Sequence, residues 1–175
     1  MGEPALIGAA TFSEVFDRYF DLVHGYLRRR VGDAAEDLAA ETFSRALAAF
    51  ERYDAGRGDV RAWLLGIATN VVHGHRRAEA RRLRAYAREA GRQVPPGDGV
   101  DVGARLDAGA AARRAATAIA HLPSGDRDVL LLVAWGELSY EEVAVALAIP
   151  VGTVRSRLNR ARTVVRAHLE KEDGR

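Results

Sequence analysis

Residues 138–169 read LSYEEVAVALAIPVGTVRSRLNRARTVVRAHL, and their periodicity decides the fold class. Tyr140, Val143, Ala144 and Leu147 repeat at i, i+3, i+4 and i+7, the stripe of a short helix with one face against a core. Pro150 and Gly152 interrupt that pattern, and Thr153 is the N-cap expected for a second helix. In that helix Val154, Leu158, Ala161, Val165 and Leu169 form one apolar seam, while Arg155, Ser156, Asn159 and Arg160 gather on the other side. Two short helices joined by a tight turn, the second offering Arg, Ser and Asn outward, have the build of a major-groove reader. Residues 151–175 carry seven basic side chains against Glu170, Glu172 and Asp173, all three beyond the useful face. That balance suits a polyanion.

Working back toward the N-terminus, the same helical spacing recurs. Phe12, Val15, Phe16, Tyr19, Val23, Tyr26 and Leu27 predict a helix over 12–30, stopped by Gly32-Asp33. A second helix is predicted from Ala35 to Tyr53, burying Ala39, Phe43, Ala46, Leu47 and Phe50. DAGRGD at 54–59 reads as a loop. A third helix starts near Val60, carries Trp63, Leu64, Ile67, Ala68 and Val71, and then turns strongly basic. GRQVPPGDGVDVG at 91–103, with two prolines and four glycines, reads as a flexible linker. Beyond it, helices are predicted over 104–121 and over 123–135. No strand pattern and no internal repeat occurs. The expectation is an all-α protein of two small helical domains, 1–90 and 104–175.

Composition narrows the function classes. The chain has 175 residues, a formal net charge of +2 and no cysteine, which excludes disulfides and thiolate metal sites. The longest apolar runs, Val129–Trp135 among them, are far too short to span a bilayer, and no signal peptide is evident. A soluble, cytoplasmic protein without membrane insertion is expected. Charge is segregated. Residues 33–54 hold Asp33, Glu36, Asp37, Glu41, Glu51 and Asp54 against Arg45 and Arg52. Residues 76–92 hold seven arginines against Glu79 and Glu89. An acidic and a basic helix in one small domain imply two different partners.

Catalysis finds no support in the residues. His73 and His75, two apart, point to nearly opposite sides of a helix and share no metal easily. Glu141-Glu142 reads as first-turn charge complementing a helix dipole. There is no phosphate loop and no nucleophile motif. No enzyme, cofactor or metal is expected.

Taken together, the pieces resemble the extracytoplasmic-function (ECF) sigma factors of the sigma-70 family, which direct bacterial RNA polymerase. The C-terminal half carries Leu122-Pro123, Arg127, Ser139-Tyr140-Glu141-Glu142-Val143-Ala144 and Gly152-Thr153-Val154-Arg155-Ser156-Arg157-Leu158 with Arg160-Ala161-Arg162. The N-terminal half carries Ala35-Glu36-Asp37-Leu38 with Glu41-Thr42-Phe43, and Trp63-Leu64 with Ile67-Ala68 and Asn70. The resemblance implies a sigma-2 domain, a linker and a sigma-4 domain. For the −35 element it implies contacts from Arg155, Ser156, Asn159 and Arg160, with Tyr140 and Thr153 near the DNA backbone. For the melted −10 element it implies a base pocket around Gly58, Asp59, Val60, Arg61 and Trp63, with Asn70 reading the extruded base. Arg76, Arg77, Arg81 and Arg82 would hold phosphates beside the opening. Asp37, Leu38, Glu41 and Arg45 match the surface that docks on the β′ coiled coil of core RNA polymerase, and part of Leu130–Trp135 matches the surface that meets the β flap. The implied partners are core polymerase, promoter DNA and an anti-sigma factor. Gly74, inside a predicted helix, and Ala40 depart from the usual family pattern. The competing reading of the same hairpin is a stand-alone helix-turn-helix regulator.

Overall fold

The computed structural model describes residues 11–89 and 109–173, and every regular element among them is helical. The linker expected at 91–103 and the helix start expected at 104 lie outside the described residues. In the N-terminal half, α1 (Phe12–Val31), α2 (Ala35–Ala49) and α3 (Val60–Glu89) pack together. In the C-terminal half, α4 (Ala110–Ala120), α5 (Ser124–Ala134), α6 (Tyr140–Leu147) and α7 (Val151–Asp173) do the same.

Each boundary has a local cause. Gly32 ends α1 at φ 58°, a conformation that costs glycine nothing and most other residues much. The predicted second helix is shorter than expected: after Ala49 the chain tightens into a 3-10 turn over Phe50–Arg52. Leu47, expected in the core, is 58% exposed because the stripe that α1 and α3 cover ends at Phe43 and Ala46. Ser139 caps α6 by accepting from the Glu142 amide (3.2 Å), and Glu142 returns the bond to the Ser139 amide (2.7 Å). Ser139→Ala should therefore cost about 1 kcal/mol of stability in chemical denaturation. Thr153 is not the N-cap that the sequence predicted. Helix α7 already begins at Val151, and the Pro150 carbonyl accepts from the amides of Thr153 (2.9 Å) and Val154 (3.1 Å). Gly152 therefore lies inside the first turn. Helix α3 runs unbroken through Gly74, where a side chain would meet open space.

The two halves share one continuous core. Leu64, Leu65, Val71 and Val72 of α3 belong to the same buried cluster as Val129, Leu132, Val143 and Leu158. Helix α6 lies directly against the start of α3. That approach is possible because Gly66 has no side chain: a Cβ there would sit 2.6 Å from the Ala146 carbonyl oxygen. Arg29 of α1 rests over the Trp135 ring at 6.0 Å, closing the seam at the far end of α5.

Charged groups lie in this seam. Arg30 at the end of α1 is fully buried; its guanidinium donates to Tyr26 Oη (2.6 Å) and to Asp128 Oδ1 of α5 (2.5 Å). His73 Nε2 lies 2.7 Å from the other Asp128 oxygen. Burial opposes the charge on Asp128, but His73 and Arg30 outweigh it and hold the carboxyl below its ordinary range. Burial likewise opposes the charge on Arg30, and its neighbours Tyr26 and Asp128 keep it firmly cationic. The Arg30 Nε is buried without a hydrogen-bond partner, so the site is compact rather than fully satisfied.

Candidate nucleic-acid interface

Helix α7 presents two faces of different chemistry because its apolar seam is seated on α5 and α6. Val154, Leu158 and Ala161 are buried, at 0%, 2% and 0% exposure. Arg155, Ser156 and Asn159 are exposed on the opposite side, where the Ser156 hydroxyl donates to the Thr153 carbonyl (3.0 Å). Tyr140 and Thr153 are half-buried beside this face. Arg160 is different. Its guanidinium forks onto Asp126 of α5 through Nε (3.0 Å) and Nη2 (2.8 Å), and those bonds hold its protonated form above the ordinary range. The Arg157 guanidinium lies close beside Gly125, so it too is packed against the first turn of α5, while Arg160 supplies the ion pair that fastens the two helices. The charge count within 151–175 missed Asp126 because it lies 34 residues earlier.

The loop before α3 is tied by its own side chains. The Asp54 carboxylate accepts from the Gly56 amide (2.9 Å), Tyr53 Oη donates to the Gly58 carbonyl (2.6 Å), and Asp59 accepts from the Arg61 amide (2.7 Å). Tyr53 and Trp63 rings meet at 4.8 Å. Burial, with help from Asp59, Tyr19 and Asp54, pushes the Tyr53 phenol up to about 12. These groups border a cleft of about 540 Å³. Tyr53, Asp54, Gly58 and Trp63 line one side, and Val145 of α6 with Ala148 just past its end line the other.

The closed packing thus covers part of the surface expected to take an extruded base. Gly58, at φ 155°, would place a Cβ 2.9 Å from Val145. Arg61 turns away to the Glu137 carbonyl (3.2 Å) and the Glu142 carboxylate (3.4 Å). Burial works against the Glu142 charge, but Ser139 and Arg61 outweigh it and hold the carboxyl low. Glu142 therefore does more than complement a dipole. Val60 is buried, in the core rather than in the cleft. Further along α3, Asn70, Arg77, Arg81 and Arg82 are exposed, whereas Arg76 is half-buried and donates to the Arg30 carbonyl (3.2 Å).

On α2, Asp37, Glu41 and Arg45 are exposed, and Arg45 pairs with Glu41 one turn away. Leu38 is 4% exposed and belongs to the core stripe with Ala35, Ala39 and Phe43. The exposed Leu47 stands on this outer face instead. Within Leu130–Trp135, Leu131 and Leu132 are buried, while Leu130, Val133 and Trp135 are half-buried.

Sequence reasoning missed the residues that join the halves: Arg30, Gly66 and Asp128. Ala62 and Gly66 stand one turn apart on α3, and a glycine inside a helical pattern beside another small residue was the available sign of a close helix approach.

Comparison with known proteins agrees with this division into halves. Residues 15–82 match the model for Sigma-70 region 2, and residues 112–164 match Sigma-70, region 4. The chain is 37% identical over 140 residues to a probable RNA polymerase sigma-C factor of Mycobacterium bovis, covering 80% of this chain and 72% of that protein. It is 31% identical over 172 residues to the ECF RNA polymerase sigma factor SigW of Bacillus subtilis, covering 90% and 88% respectively. Among solved structures, a similar fold occurs in the sigma factor RpoE in complex with the anti-sigma factor NepR from Bartonella quintana. The TM-score is 0.70 at 21% identity, covering 91% of this chain and 96% of that one. CnrH in complex with the cytosolic domain of CnrY gives a TM-score of 0.63 at 22% identity, covering 96% and 95%.

Proposed function

The chain belongs to the ECF sigma factors of the sigma-70 family, and from that membership we propose how its surfaces divide the work of starting transcription. It is an alternative sigma factor that binds core RNA polymerase and directs it to specific promoters. Its chemistry is recognition; phosphodiester synthesis belongs to the polymerase.

The observation that carries the assignment of surfaces is the two-faced α7. Its apolar seam is buried, and Arg155, Ser156 and Asn159 stand exposed beside one another. Arg155 takes guanine O6 and N7 in the −35 major groove, and Asn159 takes adenine. Arg160, forked on Asp126, fixes the angle of α7 and reaches phosphate at most. In the N-terminal half, Gly58, Asp59, Trp63 and Asn70 receive the extruded −10 base once α6 has moved off the cleft. Arg61, Arg76, Arg77, Arg81 and Arg82 neutralise the strand beside it. The outer face of α2, with Asp37, Glu41, Arg45 and Leu47, docks on the polymerase coiled coil. An anti-sigma factor is the further partner, as NepR is for RpoE in the solved complex.

The test is transcription in vitro with bacterial core polymerase on fragmented DNA from the same genome, with 5′ ends sequenced. Discrete starts that share −35 and −10 sequences and vanish without the protein are expected. A chain that yields no starts yet binds duplex DNA alone would instead be a stand-alone regulator. Arg155→Ala should weaken initiation by about 1–3 kcal/mol, roughly 5- to 150-fold, and relax preference at one −35 position. Run-off assays on promoters varied at that position check it.

A further inference from the structure

Where the basic half of α3 passes the first turn of α5, the two halves enclose a cleft of about 460 Å³. From α3 its walls are His73, Arg76, Arg77, Ala80, Arg81 and Arg84; from the C-terminal half they are Ser124 and Arg127. Among the described residues no carboxylate lines it. The nearby acids are already paired: Asp128 with Arg30 and with His73 of the cleft wall, Asp126 with Arg160, and Glu79 with His75. Pro123, at the N-cap of α5, has no side chain to accept from the first amides, so Ser124 enters the cleft from an uncapped helix end. The crowding is felt by Arg76, whose guanidinium is pushed down to about 10, first by burial and then by the charges of Arg30 and Arg127.

We propose that this cleft binds a small polyphosphate anion, and that only the closed packing of the two halves completes the site. Arg76 to Arg84 spans eight residues, about 12 Å of helix. Several phosphates in tandem can engage guanidiniums along that length, whereas one phosphate reaches only one or two. The volume is in the range of small-molecule sites. Because Ser124 belongs to the other half, the anion binds the closed form and not the open one. At 100 times its Kd it would favour the closed form about 100-fold. Arg76, Arg77 and Arg81 are also the groups proposed for promoter phosphates, so ligand and promoter would compete. That consequence rests on the promoter reading, whereas binding itself does not.

The probe is sodium tripolyphosphate, titrated calorimetrically into the full chain at fixed ionic strength, with orthophosphate in parallel. One saturable site is expected, at least tenfold tighter for tripolyphosphate. Ser124→Glu places a carboxylate in the cleft at a helix position where it favours folding. It should remove binding at least tenfold while scattering shows the chain still compact and the melting temperature is retained. Arg84→Gln should weaken binding several-fold, and Thr163→Glu, on exposed α7 surface, should leave it unchanged. The proposal is overturned by any of three results: no saturable site, equal affinity for orthophosphate, or unchanged binding by the Ser124→Glu variant.

Discussion

Gly66→Ala is expected to open the protein while strengthening the helix that carries the change. In an isolated helix the substitution is favourable by about 1 kcal/mol, since glycine has the larger freedom to lose. In the closed protein the new Cβ would lie 2.6 Å from the Ala146 carbonyl oxygen and 3.2 Å from Ala146 Cα. Neither is a side-chain end that can turn aside, so α6 must move off α3. Small-angle scattering should show a larger radius of gyration for the variant. Fragment 1–90, tested alone, should melt no lower than its unsubstituted counterpart. Since α6 half-covers the cleft at Tyr53 and Trp63, the open variant should also start transcription at lower polymerase concentration. A variant that remained compact would show that the seam tolerates a methyl group and that Gly66 does not control it.

Asp128→Ala should have the largest effect on stability. It leaves Arg30 charged, fully buried and deprived of its only carboxylate partner among the described residues. Removing one member of such a pair costs about 3–5 kcal/mol, a fall in melting temperature on the order of 10 °C for a chain of this size. The double replacement Arg30→Met with Asp128→Leu should recover most of that loss, because it removes both buried charges together. Failure to recover would locate the effect elsewhere in α5. The pH dependence has a definite sign. The folded carboxyl of Asp128 is held below its ordinary value, so its contribution is full above the unfolded range near about 4. It is lost as pH falls through the lowered folded value. Glu142 acts in the same direction. Compaction followed by scattering should therefore fail on the acid side.

The helices were legible because their signals are local. Each apolar stripe of four to seven residues repeats within one element, and Gly32 and Pro150 act on neighbours a few residues away. Errors arose where burial depends on the width of the partner. Leu47 continues the stripe of Phe43 and Ala46 by spacing, yet it is left largely exposed among the described residues; Leu38 is on a charged stretch by sequence, yet α2 turns it inward. The seam between the halves was least legible. Arg30 and Asp128 are 98 residues apart, and nothing in either neighbourhood marks a fully buried arginine. The family resemblance brought the expected contact residues into view, but it did not indicate that Arg160 would be held by Asp126 or Arg61 by Glu142.

Helix α3 is continuous from Val60 to Glu89, and that continuity makes it a ruler. Trp63, at the proposed base pocket, and Arg81, at the far end of the proposed phosphate contacts, are 18 residues apart, a fixed interval of about 27 Å. A stacked single strand advances about 3.4 Å per nucleotide, so the interval corresponds to roughly eight nucleotides. If Trp63 and Arg81 hold the strand as proposed, the length of single strand held between them is set by a count of peptide units. Inserting one residue after Gly74 would add about 1.5 Å and rotate every later arginine by about 100° around the axis. Inserting seven would nearly restore the facing and lengthen the interval by about 10 Å. Promoter spacing and helix length would then have to change together.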